Sequence, residues 1–366
     1  MPDQWVVVLS GREMVEELRK RPDRELSGTR GLQETFQSQY MCEPLVLLDD
    51  YHVDVVKEKL TTMLPTILPD VIDEVVVAVK DHIAARENEW TSVELMQVMQ
   101  KIVARANHRA FVGLPLCRNE EYLALVVDFA VDVIKGAVAL RLCAVSSHLF
   151  LNKVKQDTSR AALHLQPIVE ERMKNFTELG AGWNDKPNDL LQYILDRETA
   201  KSETVFVIAQ RLLTLNFAAI HTSSNTITHV LYHLAEKPDL LKPLREEIQA
   251  SISADGWTSA AMGKMWKLDS ILRETLRYHG VGLLAMPRKA MKDITLHDGT
   301  RIPKEPGPGR YFAANELKVI LAYITLNYDL KLGGDGSRPP DSYIATAVVP
   351  APHGRVLFKK RGRPSG

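Results

Sequence analysis

Apolar residues recur at helical spacing over most of this chain, and the longest such stretch runs from Val205 to Glu236. Both ends of that stretch are strongly apolar. Its middle carries Ala218, Ala219, His221, Thr222, Ser223, Ser224, Asn225 and Thr226, small or polar groups where a buried helix usually carries Leu or Ile. Lys237-Pro238 closes it, because proline cannot continue a helix interior. At 1.5 Å per residue a helix of roughly 30 residues reaches about 45 Å. A long core helix with such a waist has something lying against the waist, or its hydroxyls bond back to carbonyls of the preceding turn. The pattern alone leaves both open.

The same periodicity predicts further helices. Val53, Val56, Leu60 and Leu64 form a stripe in a helix from Tyr51. A second runs from Asp70 to Ala84, and a third, capped by Thr91, reaches Phe111 before Gly113 and Pro115. One or two more cover Glu120 to about Leu151, another Thr158 to Leu179, and a short one follows the cap Asp189. After the long helix come Asp239–Ile252, Leu268–His279 and Arg310–Tyr328. Period-2 and β-branched runs predict small β elements: Trp5–Leu9, two short strands around an Asp298-Gly299 turn, and a closing hairpin near 343–361. Ser10 and Glu13 read as a capping box for a helix from about Gly11 to Lys20, and Arg24–Tyr40 reads as loop. The whole predicts a mainly α domain with small β elements at both ends, without the βαβ alternation of a nucleotide-binding sheet.

Composition narrows the function. Forty-six basic and 46 acidic residues cancel over 366 residues, so no global field points to nucleic acid. Cys42, Cys117 and Cys143 are scattered without metal or disulfide spacing, which suits a reducing compartment. No apolar run reaches the roughly 18 residues of a membrane span, and the first residues do not read as a signal peptide. The basic tail Lys359–Pro364 contains Arg-Gly-Arg-Pro, which resembles an AT-hook whose arginines enter a narrow minor groove; a solvated tail is the plainer reading.

Four motifs carry the chemistry, in this order: AAIHTSS (218–224), Glu274-Thr275-Leu276-Arg277, Arg288, and Gly307-Pro308-Gly309-Arg310-Tyr311-Phe312-Ala313-Ala314. With the text between them, such as VARANHRAFVGLPLCRN, they resemble the cytochrome P450 haem-thiolate monooxygenases, in the fungal branch that oxidises terpenoids and other lipophilic secondary metabolites. The resemblance covers essentially the whole chain as one P450-like domain, 1–366, with the basic tail at 359–366.

It implies a haem cofactor, electrons from NADPH through a cytochrome P450 reductase, and a bulky lipophilic substrate. It also implies a place at the endoplasmic reticulum membrane surface, or in the cytoplasm for a chain without an anchor, and no nucleic-acid partner. Thr222 stands in the oxygen-activating threonine position and His221 in the usually acidic one. Ala218 and Ala219 would let a flat macrocycle lie close. Glu274 and Arg277 match the structural Glu-x-x-Arg pair. Arg288, Arg310 and, on an early helix with Tyr51 and Lys57, His52 match propionate-side groups, since guanidinium suits carboxylates. A threonine hydroxyl at that place can relay protons to bound dioxygen.

The family ligates iron through a cysteine thiolate. Gly307 stands at that position, and the chain jumps from Arg301-Ile302-Pro303-Lys304 to Glu305-Pro306-Gly307 where several dozen residues are expected. The family's N-terminal membrane helix is also expected ahead of Trp5. All three cysteines read as structural. Without the missing segment Glu274 and Arg277 lose their third partner. The alternative to an active monooxygenase is therefore a non-catalytic truncated or mis-spliced relative. A remoter one is a nucleic-acid binder acting through the basic tail.

Overall fold

The protein is seen here in a computed structural model. It describes the backbone of residues 7–60, 62–142, 144–280, 282, 288–302, 314–344 and 347–362, and the side chains of those residues except 141–150, 181, 314–316, 344 and 347. The chain divides into two compact units. The first comprises residues 1–49, 131–156 and 282–312, and the second residues 50–130, 157–281 and 313–366.

The first unit is small. Helix α1 (Arg12–Lys20) is followed by strand β1 (Leu26–Ser27), then α2 (Gly28–Thr35), α3 (Ser38–Met41) and α4 (Pro44–Leu48). Leu26 pairs with Ala290 and Ser27 with Lys289 in an antiparallel bridge. Leu26, Ala290, Ile294, Leu296 and Ile302 form the unit's core, with Leu9, Met14 and Leu18 packed against it.

Three expectations fail here. Residues 7–9 are irregular, and the rest of the expected Trp5–Leu9 strand lies outside the described residues. Gly11, not Ser10, caps α1, and no side-chain cap bond forms; Glu13 is left free of the capping box. The expected loop 24–40 is largely α2 and α3. Ser27 supplies the missed signal, its hydroxyl accepting from the Arg30 amide at 3.3 Å. Polar composition hid a capped helix that is only partly buried.

The second unit carries the large helices. In chain order it continues with α5 (Tyr51–Val55), which runs on as a π-helical turn over Val56–Leu60, then α6 (Leu64–Ile83), strand β2 (Thr91–Glu94) and α7 (Leu95–Phe111). Helices α8 (Glu120–Leu142) and α9 (Ala144–Leu179) follow, and the chain passes between units within each. The remaining helices before the second β region are α10 (Leu190–Leu195), α11 (Val205–Glu236), α12 (Leu241–Asp255), α13 (Ser259–Lys264) and α14 (Trp266–Tyr278).

Short strands β3 (Lys289–Ala290), β4 (Ile294–Thr295) and β5 (Arg301–Ile302) belong to the first unit. Helix α15 (Ala314–Asn327) and strands β6 (Tyr328–Leu332), β7 (Ser342–Ile344), β8 (Ala347–Val349) and β9 (Arg355–Lys360) end the chain.

Helix α7 packs against α6 on one side and α11 on another. Nearly every α7 side chain from Ile102 to His108 is buried, as a central helix requires. Thr91 begins a strand rather than capping a helix: β2 pairs with β9, and β9 also pairs with β6. Alternation at Thr91–Glu94 was masked by the helical stripe that starts one residue later. Instead of closing a hairpin, β9 sits at the centre of this sheet, and the hairpin is β7–β8 alone. The helix expected from Thr158 begins at Ala144 and runs unbroken to Leu179.

Helix α11 has the predicted bounds, Val205 to Glu236. Thr204 caps it, its hydroxyl accepting from the Val207 amide at 3.4 Å. Among the described residues it is the one helix long and apolar enough to cross a membrane, yet half of that apolar window is buried as core.

Candidate functional site

Successive α-helical residues turn by about 100°. That places Arg211, Leu215, Ala218, Thr222, Asn225, His229 and His233 on one stripe of α11. The stripe is covered at both ends and open between. Arg211 is fully buried, Ala218 is exposed, Thr222 and His221 are half-buried, and His229 is buried again.

At the N-terminal end, α5 lies against α11. Arg211 Nε is 3.0 Å from Glu203 Oε2, and its Nη1 is 3.1 Å from His52 Nδ1. Tyr51 donates its hydroxyl to Glu203 at 2.9 Å, and its ring lies 4.1 Å from the Arg211 guanidinium carbon. His52 is thus buried. Burial first, and the Arg211 charge second, push its imidazole down to about 3. It is a neutral acceptor for Arg211. Lys57 is the solvent-exposed member, paired with Asp54 at 3.2 Å. Glu203 and Arg211 were missed in the sequence because Glu203 precedes the helix and Arg211 interrupts an otherwise apolar run.

At the waist the hydroxyls bond back into their own helix. Thr222 Oγ1 donates to Ala218 O at 2.8 Å. Ser224, Thr226 and Thr228 repeat the pattern with the carbonyls four residues before them. This is the second of the two readings that the residue pattern allowed. His221 Nε2 is 3.2 Å from Val127 O, and burial lowers its pKa. Asn216, one turn earlier and off the stripe, has both amide atoms buried with no hydrogen-bond partner, as does Ser223 Oγ. Such atoms call for an ordered water or a ligand.

Helix α14 carries the Glu-x-x-Arg pair. Leu268, Leu272 and Thr275 are buried while Trp266 and Tyr278 are exposed, at 75% and 73%. Arg277 bonds Glu274 in a fork at 2.8 and 2.7 Å, and the two side chains are 67% and 64% exposed. The pair is a surface ion pair that keeps water as a partner. On the same helix Trp266, Asp269, Ser270 and Arg273 line, with Gly263 and Lys318, a polar cleft of about 540 Å³, and none of these is an expected site residue.

Arg288 lies in the first unit, partly buried; burial lowers its pKa and the Asp23 charge opposes this. Gly307 and Arg310 lie outside the described residues, as does Cys143.

Comparison with known proteins gives the class. A cytochrome P450 family model matches residues 1–306. A cytochrome P450 monooxygenase of Ganoderma lucidum, CYP512U6, is 47% identical, over 100% of this chain and 84% of its own length. Cytochrome P450 monooxygenase 151 of Postia placenta is 37% identical over 99% and 86%. Among solved structures, a retinoic acid bound cyanobacterial CYP120A1 matches with a TM-score of 0.62 at 14% identity, over 82% of this chain and 76% of that one, a likeness of fold. The chain belongs to the cytochrome P450 monooxygenases, and its mainly helical fold is theirs.

The match to the Ganoderma protein extends over 428 aligned positions, 62 more than the 366 residues of this chain. That relative therefore has at least this many residues with no counterpart here. The family model stops at Pro306, next to Gly307.

The family implies haem. The small residues at the open part of the stripe offer room for a flat group, but the motif position that would supply the thiolate does not fit it. Glycine at 307 has no donor atom. Cys42 is partly buried and caps the C-terminal end of α3, in the first unit. Cys117 is buried, and burial together with the Glu74 charge pushes its thiol up to about 11.

Proposed function

We propose that the reaction belonging to this protein's family branch is the hydroxylation of a bulky lipophilic secondary metabolite, terpenoid-like in character. Dioxygen would be the oxidant, with electrons from NADPH through a flavoprotein reductase at the endoplasmic reticulum surface. The observation that carries this reading is the set of four motifs in family order along one chain, supported by fungal monooxygenase relatives. In it Thr222 and His221 serve oxygen activation and Ala218 and Ala219 leave room for the cofactor. Arg288, Arg310 and His52 are propionate-side groups, and Glu274 with Arg277 is structural.

A second reading concerns the chain as written: a non-catalytic relative that at most holds a lipophilic molecule. It is favoured by Gly307 and by the solvent exposure of Glu274 and Arg277. Two measurements separate the readings. The transcript is sequenced across Arg301 to Arg310, and the chain as written is expressed with haem precursor and its reduced, carbon-monoxide-bound spectrum recorded. An intervening cysteine-bearing segment in the transcript upholds the monooxygenase. A junction as written, with no thiolate-type band, overturns oxidative competence for this chain and leaves the second reading.

A further inference from the structure

The C-terminal end of the α11 stripe holds a cluster that the family reading does not use. His229 on α11, His279 just after α14 and Asp341 just before β7 each offer one ligand atom, and these atoms lie within 4.8 Å of one another. All three residues belong to the second unit. His229 Nδ1 is 3.7 Å from Asp341 Oδ1, and His279 Nδ1 is 3.0 Å from Asp341 Oδ2. Donor atoms on a tetrahedral zinc, with bonds of about 2.0–2.1 Å, sit about 3.3 Å apart. The two imidazole rings lie parallel, 9° between planes and 4.3 Å between centroids, beside the same carboxylate.

A cation already stands at this point. Arg338 Nη2 is 2.9 Å from His229 Nδ1 and 2.9 Å from Asp341 Oδ1. Arginine only donates, so His229 Nδ1 is the accepting nitrogen, with the lone pair a metal ligand needs. The guanidinium is imperfectly seated, because Arg338 Nε is buried without a partner. The Tyr232 ring lies 5.8 Å from the guanidinium carbon in this same position.

The surroundings also suit ligation. His279 Nε2 is 3.0 Å from His233 Nε2, and His233 Nδ1 is 3.6 Å from Glu236 Oε2. When the His279 proton moves from Nδ1 to Nε2, Nδ1 is free to ligate and Nε2–H donates to His233. His233 in turn turns its Nδ1–H toward Glu236. Chains of this kind fix the tautomer of a metal-bound histidine.

We propose that His229, His279 and Asp341 form a site for a divalent metal ion of the zinc class, that Arg338 is the cationic occupant the metal displaces, and that His233 and Glu236 set the His279 tautomer. Two imidazoles and a carboxylate, with a fourth position left to water, are a zinc donor set. Metal bound there ties α11, the end of α14 and the β7–β8 hairpin together. The site does not depend on haem or on oxidative competence.

The test uses the full chain, stripped with chelator and titrated with zinc chloride in a calorimeter. Cobalt(II) absorption in the visible provides a second readout of a low-coordinate site. One saturable site is expected. Asp341→Asn weakens it at least tenfold, and Arg338→Met, which removes the competitor and leaves every ligand, tightens it severalfold. Circular dichroism checks that each variant folds; if Asp341→Asn does not, the direction of the Arg338→Met change decides. Zinc affinity unchanged in both variants places binding on other histidines of the chain's 11 and overturns the proposal. So does the absence of binding in both the wild type and Arg338→Met, which leaves the cluster an arginine-centred hydrogen-bond network.

Discussion

Two arginine–glutamate pairs in this protein have nearly the same covalent chemistry and opposite surroundings. Arg211 and Glu203, at the covered end of α11, are 0% and 3% exposed, and His52 and Tyr51 each add a hydrogen bond to the pair. Arg277 and Glu274, on α14, form an equally close fork but stand in solvent. The first pair has lost its hydration and depends on its partners; the second has kept water as an alternative partner. A motif identifies a pair, and burial decides whether the pair holds the fold. The contrast also marks α14, whose motif pair is open to solvent.

The largest expected effect is at the buried pair. Glu203→Gln takes the carboxylate from the buried Arg211 guanidinium, and should destabilise the fold by about 3–5 kcal/mol, read from urea unfolding. A loss close to zero would mean that water reaches Arg211, and the comparison would collapse.

Acid should come next. Burial pushes His52 down to about 3 and His108 down to about 4. An unfolded histidine takes its proton near pH 6.5 and these native ones do not. Stability is therefore full above that pH and falls below it. Each histidine contributes up to about 1.4 kcal/mol per pH unit until its folded value is reached. Unfolding curves between pH 7 and pH 5 measure the slope. His108→Leu should remove the share of one histidine; an unchanged slope would show that His108 is protonated in the fold.

Loss of the α11 cap should be smaller. Thr204→Ala removes the acceptor for the Val207 amide and should cost about 1 kcal/mol in the same assay. The smallest effect is expected at the solvent-exposed pair, where Glu274→Gln should leave the urea midpoint unchanged. If the transcript restores the intervening segment, the same substitution in the longer chain becomes the sharper test. A large loss there would show that the segment buries Glu274 and Arg277, and would turn the contrast into a likeness.

Much of the helical frame was readable from pattern. Helix α11 is legible at both bounds because a long apolar run starts at Val205 and Lys237-Pro238 closes it, and α14 is legible to within two residues; the Thr204 cap is visible only in the structure. The misreadings have physical causes. Helices α2 and α3 are polar and short, and β2 runs directly into α7, so one period hid the other. Of the candidate site residues, Thr222 and His221 were placed on the correct helix, but which groups satisfy them depends on carbonyls that sequence does not locate. His52 drew attention for its charge and turned out to be a neutral acceptor, because its partner lies 159 residues away.

By itself, then, the sequence determined the family, the order of the motifs and the glycine at position 307, since these need only residue identity and spacing. The tertiary structure decided which polar groups are paired, and with what. It buried Arg211 and exposed Arg277, and it gathered His229, His279 and Asp341 from three elements around one arginine. The cost of a polar group depends on whether water can still reach it, and that is a property of the packed chain.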